Sequence, residues 1–353
     1  MHSERRPRLT PAIAEVRRAV RAALPSGIDS TGETVLVALS GGPDSLALAA
    51  ATAFEASRAG VRAGAVIVDH GLQQGSADVA ARAAEQAAQL GLDPVIIKRV
   101  DVGTDGGPEA AARDARYVAL AEAAQASGAS AVFLGHTLDD QAETVLLGLA
   151  RGSGPASLSG MSPSTSSGTG GGSGAGGGSG TAVAYVRPLL GVRRSTTMQF
   201  CVDSGLEPWH DPQNVDERFA RVRVRSVLLP LLERELGPGV AEALARTASQ
   251  LREDSEALDH FAEEIAEELA DIAEAGISLP VKALASNPPA LRQRLIRLAV
   301  ESEFHVSLSR THTLEVARLV TEWHGQGPLD LPGVRVERQG GLLLFTANNT
   351  ANG

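Results

Sequence analysis

The chain has 353 residues, a formal net charge of −10 and one cysteine, Cys201. This length allows two domains, and a lone cysteine excludes an internal disulfide, a CxxC redox motif and a cysteine-held zinc or iron–sulfur site. No apolar run reaches the ~18 residues of a membrane span, and the first ten residues lack the apolar core of a signal peptide, so we expect a cytoplasmic protein that binds no membrane.

The charges are unevenly distributed along the chain. An acidic total disfavours a protein whose whole surface binds nucleic acid. The distribution matters more than the sum, because residues 251–274 hold ten acids against one base. Four arginines follow one another without an acid between them, at Arg218, Arg221, Arg223 and Arg225.

Strands and helices alternate over the first 150 residues of the sequence. Short apolar runs predict four buried strands, at residues 34–39, 63–70, 94–100 and 131–135. The stretches that follow these runs predict helices, at residues 44–59, 76–90, about 108–127 and about 139–150. This alternation predicts an α/β fold with a parallel sheet and helices on both faces. Ligands of such sheets bind beyond the carboxyl ends of the strands.

A stretch rich in Gly, Ser and Thr follows at residues 162–181. It cannot bury apolar surface and predicts a disordered insertion, natural rather than engineered because it lacks a strict repeat. Residues 239–272 have the pattern of long amphipathic helices, and two β-like runs around Gly340 and Gly341 predict a hairpin. We therefore divide the chain into an α/β domain, a helical linker or substrate region and a small C-terminal α+β region, at residues 1–210, 211–275 and 276–353.

A glycine-rich turn joins the first strand to its helix, with the residues Ser40, Gly41, Gly42, Pro43, Asp44 and Ser45. Glycines let the backbone approach an anion closely, and the helix N-terminus offers free N–H groups. The two serine hydroxyls can donate to phosphate oxygens, whereas Asp44 suits such a site only if a magnesium ion lies between its carboxylate and the phosphates. The alternative is a tight strand–helix turn in which Asp44 caps the helix.

The string SGGPDS resembles the PP-loop motif, SGGxDS, of ATP pyrophosphatases, which cleave ATP between its α- and β-phosphates and transfer AMP to an oxygen of the substrate. Three later strings narrow the resemblance: VDHGL at 68–72, EAAARDARY at 109–117 and GHTLDDQAET at 135–144. Two more agree with it, RPLL at 187–190 and DPQNVDERFARVRVRSVLLP at 211–230. Together these strings resemble the tRNA(Ile)-lysidine synthetase family over about residues 34–235, and the tail fits more loosely. The sequence departs from the family at Val222, where an asparagine is commoner, and in its Gly/Ser insertion.

This resemblance implies a Rossmann-like PP-loop fold and a ligase that consumes ATP. In the family, ATP adenylates the C2 carbonyl oxygen of the wobble cytidine in an isoleucine tRNA with a CAU anticodon, and the ε-amine of free L-lysine displaces AMP to give lysidine. We expect Asp44 to hold Mg²⁺. The resemblance implies that Gly135 and Asp69 join the turn in binding ATP, with backbone groups as the alternative to the Asp69 side chain, and that residues 276–353 bind tRNA. The oligomeric state stays open between a monomer and a homodimer.

Two carboxylates, Asp140 and Glu143, are the candidate lysine-binding and catalytic groups. They are three residues apart on one predicted helix and share a face, so they could hold an ammonium and take a proton from it. The alternative is a pair of ordinary first-turn acids that complement the helix dipole. Arg113, with its planar fork of donors, is the catalytic candidate for the charge on the α-phosphate, although it could instead pair with Glu109. His136, a further catalytic candidate, could contact the nucleotide, orient a carboxylate or be a satisfied histidine beside the loop.

The family places one arginine of the run 218–225 in the active site. We assign Arg223 to lysine binding, although Arg225 fits as well, with a solvated basic run as the alternative. The remaining arginines of the run are expected to bind tRNA, namely Arg218, Arg221 and Arg225. Arg292 and Arg294 form a second candidate tRNA surface, and the acidic stretch should face away from the RNA.

Three other functions compete with this interpretation. A PP-loop tRNA thiolase would need catalytic or cluster-holding cysteines, which Cys201 alone does not supply. An amidotransferase would need a glutaminase domain or another ammonia source. A nucleotide-dependent RNA-binding protein without catalysis is disfavoured by four intact candidate residues, Asp44, Arg113, Asp140 and Glu143.

Overall fold

The structure is a computed structural model that describes most of the chain, namely residues 9–25, 32–71, 75–101, 103, 108–152, 154–166, 183–269, 271–273 and 276–348. The chain forms two compact units, Met1–Ser249 and Gln250–Gly353. Within the described ranges, no helix is both long enough and apolar enough to cross a membrane.

The first unit is built on a six-stranded sheet. Its strands are β1 (Thr34–Ala38), β2 (Arg62–Asp69), β3 (Val95–Arg99), β4 (Ala129–Phe133), β5 (Ser164–Ser166) and β6 (Ala184–Val186). They lie in the order β3-β2-β1-β4-β6-β5, and every neighbouring pair is parallel except β5 with β6. The predicted parallel sheet is confirmed, with one short antiparallel strand added at its edge.

Helices cover both faces of this sheet. They are α1 (Pro11–Ala23), α2 (Pro43–Ala59), α3 (Ser76–Gln89), α4 (Pro108–Ser127), α5 (Leu138–Ala150), α6 (Pro155–Leu158) and α7 (Arg194–Asp203). Alternate residues of β1 point to opposite layers: Val35 and Val37 pack in a core with α1, α2, α3 and α7, whereas Leu36 and Ala38 pack in a core with α4. A strand buried on both faces reads as a continuous apolar run, which is why β1 was predictable from its sequence.

The expected ligand-binding edge lies where β1 and β4 end. The chain leaves β1 towards β2 on one side, and β4 lies on the other side, so a crevice opens between the loops that follow β1 and β4. Gly135 lets these loops approach each other, because a Cβ atom at this position would lie 3.1 Å from the backbone nitrogen of Ser45. The glycine-rich turn and the stretch after β4 therefore meet.

The Gly/Ser/Thr-rich stretch is ordered at its start. Ser164–Ser166 form β5, in which Thr165 pairs with Tyr185 of β6. The prediction that disorder begins at residue 162 is therefore corrected for these residues, because backbone pairing at a sheet edge needs no apolar side chain. Residues 167–182 of the predicted insertion lie outside the described part of the chain.

Between α7 and residue 269 the chain is helical. A 3₁₀ turn is followed by α8, a π-helical turn, α9 and the long α10, at Pro212–Val215, Ala220–Arg223, Val224–Leu228, Leu229–Leu236 and Val240–Leu269. Leu138 and Ala142 of α5 pack against Val224, Leu229 and Ala241. Because of this packing, the border between the two units lies inside α10 and not at the borders of the predicted regions. The separate roles of the three predicted regions stay predictions.

The second unit is an antiparallel sheet with helices. After α10 it contains β7 (Asp271–Ala273), β8 (Gly276–Pro280), α11 (Val281–Ser286), α12 (Pro289–Phe304), α13 (Arg310–Thr321), β9 (Leu329–Leu331), β10 (Val334–Gln339) and β11 (Leu342–Ala347). The strands lie in the order β7-β8-β11-β10-β9. The predicted hairpin is confirmed, because β10 and β11 join at Gly340 and Gly341, whose φ angles of 56° and 89° suit a two-residue turn. Leu279, Leu295 and Phe345 lie in the core of this unit.

Candidate active site

The turn between β1 and α2, here named the phosphate loop, comprises residues 40–45. Gly42 is the N-cap of α2, and no side chain caps the helix. Asp44 therefore does not act as the helix cap. The Ser45 hydroxyl donates to the Gly42 carbonyl at 3.0 Å and lies 3.1 Å from the Ser40 hydroxyl. These contacts fix the loop while the first N–H groups of α2 stay without a side-chain cap, as an anion site requires.

The Asp44 carboxylate contacts α7. It accepts hydrogen bonds from the Thr197 hydroxyl and, at 3.3 Å, from Arg194 Nε. Burial raises the pKa of this carboxyl, and Arg194 and Thr197 act in the opposite direction. No three His, Cys, Asp or Glu side chains of the described residues are arranged to hold a metal. A magnesium ion here would therefore take Asp44 together with phosphate oxygens and water, a ligand set that Mg²⁺ commonly has.

Asp140 and Glu143 lie in the first two turns of α5. The backbone N–H and the hydroxyl of Thr137 both donate to Asp140 Oδ2 at 2.8 Å, which caps the helix. The other oxygen of Asp140 accepts from Arg194 at 2.7 Å. Glu143 is fully buried and accepts from Arg194 at 3.1 Å and from Arg225 at 2.7 Å. Burial acts to raise the pKa of Asp140, but Arg194 and Thr137 hold it below its ordinary value.

Arg194 joins the phosphate loop to these carboxylates, although no motif in the sequence singles it out. Its guanidinium contacts Asp44, Asp140 and Glu143, here named the acid cluster, at 3.3, 2.7 and 3.1 Å. Its backbone N–H donates to Asp139 at 2.7 Å. Burial acts to lower the pKa of Arg194, but the three carboxylates raise it well above its ordinary value, so the guanidinium is charged at neutral pH. The only sequence signal was a position shortly after the RPLL string.

Two arginines of the run 218–225 also reach the acid cluster. Arg225 donates to both oxygens of Glu143, at 2.7 and 3.0 Å, and Arg221 lies 3.6 Å from the same carboxylate. Arg225 belongs to the π-helical turn, a geometry that is frequent at functional sites. The structure therefore places at the carboxylates two residues that the sequence analysis assigned to tRNA.

The two other arginines of the run point elsewhere. Arg223 donates to the backbone carbonyls of Glu217 and Arg218, at 2.7 and 2.8 Å. The structure brings Arg225 and not Arg223 to the acid cluster, because residues two apart on a helix do not face the same way. Lysine binding by either arginine stays a prediction. Arg218 pairs with Asp216 at 2.6 Å and is exposed, so contact with tRNA stays a prediction for this residue.

The two arginines of α12 that were predicted to bind tRNA have partners within the second unit, and contact with tRNA stays a prediction for them. Arg292 is buried and donates to the Asn287 carbonyl at 3.3 Å. Arg294 pairs with Asp259 at 2.6 Å and donates to the Ser255 hydroxyl at 3.1 Å. Both side chains support packing within the second unit, because arginine can bury its stem while its head finds a partner.

Three further predicted residues lie outside the acid cluster. His136 follows β4, and its Nδ1 is buried without a hydrogen-bond partner. Burial lowers the pKa of His136 to about 4, against a smaller effect of Asp140, so the ring is neutral at pH 7. Asp69 accepts from the Gly71 N–H at 3.0 Å, which gives its side chain a role in the turn after β2. Arg113 is exposed and lies 5.5 Å from the centre of the Tyr117 ring.

A solved structure with a similar fold is that of the U34-tRNA thiolase NcsA from Methanococcus maripaludis with its 4Fe-4S cluster. It superposes with a TM-score of 0.54 at 21% identity, over 69% of this chain and 80% of that chain. At this identity the similarity shows the fold alone. Residues 13–232 match the family model described as the PP-loop domain, and residues 279–343 match that described as the TilS substrate binding domain.

Two relatives match nearly the whole chain. The tRNA(Ile)-lysidine synthase of Leifsonia xyli subsp. xyli is 62% identical over 315 residues, which cover 89% of this chain and 90% of that protein. The tRNA(Ile)-lysidine synthase of Thermobifida fusca is 48% identical over 341 residues, which cover 96% of this chain and 98% of that protein. The chain therefore belongs to the tRNA(Ile)-lysidine synthase family.

Proposed function

We propose that this protein is a ligase that joins L-lysine to C2 of the wobble cytidine of an isoleucine tRNA with a CAU anticodon, and converts ATP to AMP and diphosphate. The observation that carries the proposal is the acid cluster at the phosphate loop, whose carboxylates are paired with Arg194 and Arg225. Free lysine carries two ammonium groups and a carboxylate, so a site with both signs of charge suits it. The tRNA substrate is inferred from membership of the tRNA(Ile)-lysidine synthase family.

The phosphate loop binds the phosphates of ATP in this proposal. The uncapped N–H groups at the start of α2 and the hydroxyls of Ser40 and Ser45 donate to phosphate oxygens. Asp44 holds Mg²⁺, which neutralises phosphate charge when it is bound. We assign Gly135 a spacing role in the ATP site, because the lack of a side chain there lets the start of α5 lie close to the phosphate loop.

Adenylation is the first half of the reaction. The C2 carbonyl oxygen of the cytidine attacks the α-phosphorus of ATP, and the bond from that phosphorus to the bridging oxygen of the β-phosphate breaks to release diphosphate. Negative charge develops on the α-phosphate oxygens. We assign Arg113 to this charge, because its exposed guanidinium can reach a substrate and offers a planar fork of donors.

Lysine transfer is the second half of the reaction. The ε-ammonium loses a proton, the free amine attacks C2 of the cytidine, and AMP leaves with the C2 oxygen. Asp140, whose pKa is held low, suits attraction of the ammonium better than acceptance of its proton. We therefore assign the proton to Glu143 and the α-carboxylate of lysine to Arg225.

Incubation of the full chain with labelled lysine, ATP and total tRNA tests the proposal. Label should enter one tRNA species, with one AMP and one diphosphate formed for each lysine. Asp140→Asn should incorporate far less lysine, whereas Glu85→Gln, which changes an exposed carboxylate on α3, should match the wild type. Diphosphate release without lysine in the RNA would indicate another AMP-forming tRNA-modifying enzyme. Nucleotide-dependent tRNA binding without diphosphate release would indicate a non-catalytic RNA-binding protein.

Magnesium, the oligomeric state and the location are further predictions. Chelation of Mg²⁺ should stop AMP formation, and added Mg²⁺ should restore it. Sedimentation of the purified chain would distinguish a monomer from a homodimer, and cell fractionation would test the cytoplasmic location.

A further inference from the structure

Four basic side chains outside the acid cluster belong to the same edge of the sheet. His70 follows β2, His136 follows β4 and Arg187 follows β6, while Arg116 lies on α4, which packs against β1, β2 and β4. The carboxyl ends of parallel strands meet at one edge, so topology brings His70, His136 and Arg187 to this edge. Arg116 is placed with them by its electrostatic effect on both histidines. We name them the cationic cluster.

Arg187 is buried, and none of the carboxylates that the structure describes pairs with it. Only 7% of this residue is exposed. Its guanidinium donates to the Ser162 carbonyl at 2.8 Å, to the Thr165 hydroxyl at 3.4 Å and to the Tyr117 hydroxyl at 3.5 Å, and its Nε has no partner. These neutral acceptors position the guanidinium but do not offset its charge.

Arg116 has fewer polar contacts than Arg187. It makes no hydrogen bond or ion pair with any part of the chain that the structure describes. Burial lowers the pKa of its guanidinium, and the neighbouring Arg113 lowers it further. The charge of Arg116 also lowers the pKa of His70 and of His136, which indicates that it lies near both rings. The Nδ1 atoms of these two histidines are buried and unpartnered.

Buried charges in proteins are normally paired, because desolvation of an unpaired charge is expensive. We propose that the cationic cluster binds a phosphate group, held by Arg116, Arg187 and His136, as a subsite separate from the phosphate loop. The planar fork of arginine suits phosphate oxygens, and a neutral histidine can donate one N–H. ATP and the tRNA backbone both carry a phosphate group. The choice of these two ligands rests on the proposed function, whereas the subsite itself rests on the geometry.

Thermal unfolding of the full chain, in chloride and in inorganic phosphate at equal ionic strength, tests the subsite. Arg116→Gln removes a charge of the cluster, and Arg62→Gln removes an exposed charge at the opposite end of β2 as a matched control. Phosphate at ten times its Kd should raise the midpoint of the wild type and of the control by about 3 °C. The rise should be smaller in Arg116→Gln than in the control, by the part that the subsite contributes. Phosphate bound at the phosphate loop contributes equally to all three proteins.

The same measurement without phosphate gives a second readout. In chloride, Arg116→Gln should unfold at the wild-type temperature or above it, since the change removes a partly buried charge that has no ion-pair partner among the described residues. An equal phosphate response in Arg116→Gln and the control would overturn the proposal, as would a lower midpoint of Arg116→Gln in chloride. If Arg116→Gln does not fold, Arg116→Lys keeps the charge but loses the fork, and an undiminished phosphate response then overturns the proposal.

Equilibrium binding distinguishes the two sources of phosphate. A loss of about ten- to hundredfold in ATP affinity, with tRNA affinity unchanged, assigns the subsite to ATP. A similar loss in tRNA affinity, with a smaller salt dependence, assigns it to an RNA phosphate. No loss for either ligand overturns the proposal. None of these titrations needs lysine transfer, so a protein that passes them without ligating lysine would contradict the proposed function alone.

Discussion

The acid cluster and the cationic cluster lie at the same edge of one sheet but differ in how their charges are paired. Asp140 and Glu143 each accept from an arginine at 2.7 Å. Arg116 and Arg187 meet no carboxylate among the described residues. The charges of the acid cluster are therefore paired without a ligand, so in the proposed reaction lysine would have to replace an internal arginine. The proposed phosphate group would supply the counter-charge of the cationic cluster.

The largest expected effect comes from removal of the assigned base in the acid cluster. Glu143→Gln keeps the shape of the side chain and loses its charge, so lysine transfer should slow by about 10²- to 10⁴-fold. AMP transfer to the tRNA should be affected much less, and the adenylated tRNA should accumulate. Rapid-quench sampling with ATP labelled at the α-phosphate would follow AMP onto the RNA.

Arg113→Ala is the contrasting variant for the same measurement. It should stop the reaction before AMP reaches the tRNA, because the charge that Arg113 offsets develops during AMP transfer. If Glu143→Gln also fails before AMP transfer and binds lysine normally, the carboxylates belong to the nucleotide and metal site.

The internal pairing of the acid cluster is tested by stability. Arg194→Met leaves the fully buried Glu143 with fewer partners, and breaking a buried pair costs about 3 kcal/mol at the lower end of its usual range. The lower end applies because Arg225 still pairs with Glu143. Urea unfolding would measure the loss, and Arg218→Met, in an exposed pair, should leave the midpoint unchanged. A stable Arg194→Met protein would show that Arg225 suffices.

The pH dependence of stability tests the environment of His136 in the cationic cluster. The pKa of His136 is lowered from 6.5 to about 4, so the folded protein holds this proton less tightly than the unfolded chain. The stabilisation is complete above about pH 6.5 and is lost as the pH falls towards 4, a change of about 3 kcal/mol. His136→Gln should flatten the dependence of unfolding free energy on pH in this range, whereas His210→Gln, at an exposed site, should not. Equal slopes in both variants would contradict the burial of His136.

The smallest effect is expected from shortening the insertion. Deletion of residues 168–180 changes loop-closure free energy by only ~1 kcal/mol or less and should leave activity nearly intact. Deletion of 163–180 should cost more, because it also removes β5 and the Thr165 hydroxyl that accepts from Arg187. Lysine incorporation and tRNA affinity of the two deletions would separate these effects. A large loss of tRNA affinity in the shorter deletion would show that the insertion takes part in binding.

The parts of the fold that were predictable are those in which one segment carries its own pattern. The apolar run of β1 and the glycines of the β10–β11 turn determined these elements locally. β5 could not be found in this way, because its pairing depends on the position of β6 and not on its own side chains.

The residues of the candidate site were likewise predictable only where they lie close together in the sequence. The phosphate loop and the acid pair were predictable because each lies within one short string. Arg194 was not, since it contacts carboxylates 51, 54 and 150 residues away. The composition of the arginine run indicated RNA but not the direction of its side chains, and Arg221 and Arg225 contact residues of α5.

Gly135 sets the distance between the loop after β4 and the phosphate loop. A Cβ atom there would stand 3.1 Å from the backbone of Ser45, where no flexible side chain could move aside. Alanine at this position would push the start of α5 away from α2, and Asp140 and Glu143 would move with it. The neighbouring backbone would have to give by a few tenths of an ångström. In the proposed reaction, Gly135 thus sets the spacing between the loop assigned to ATP and the carboxylates assigned to lysine.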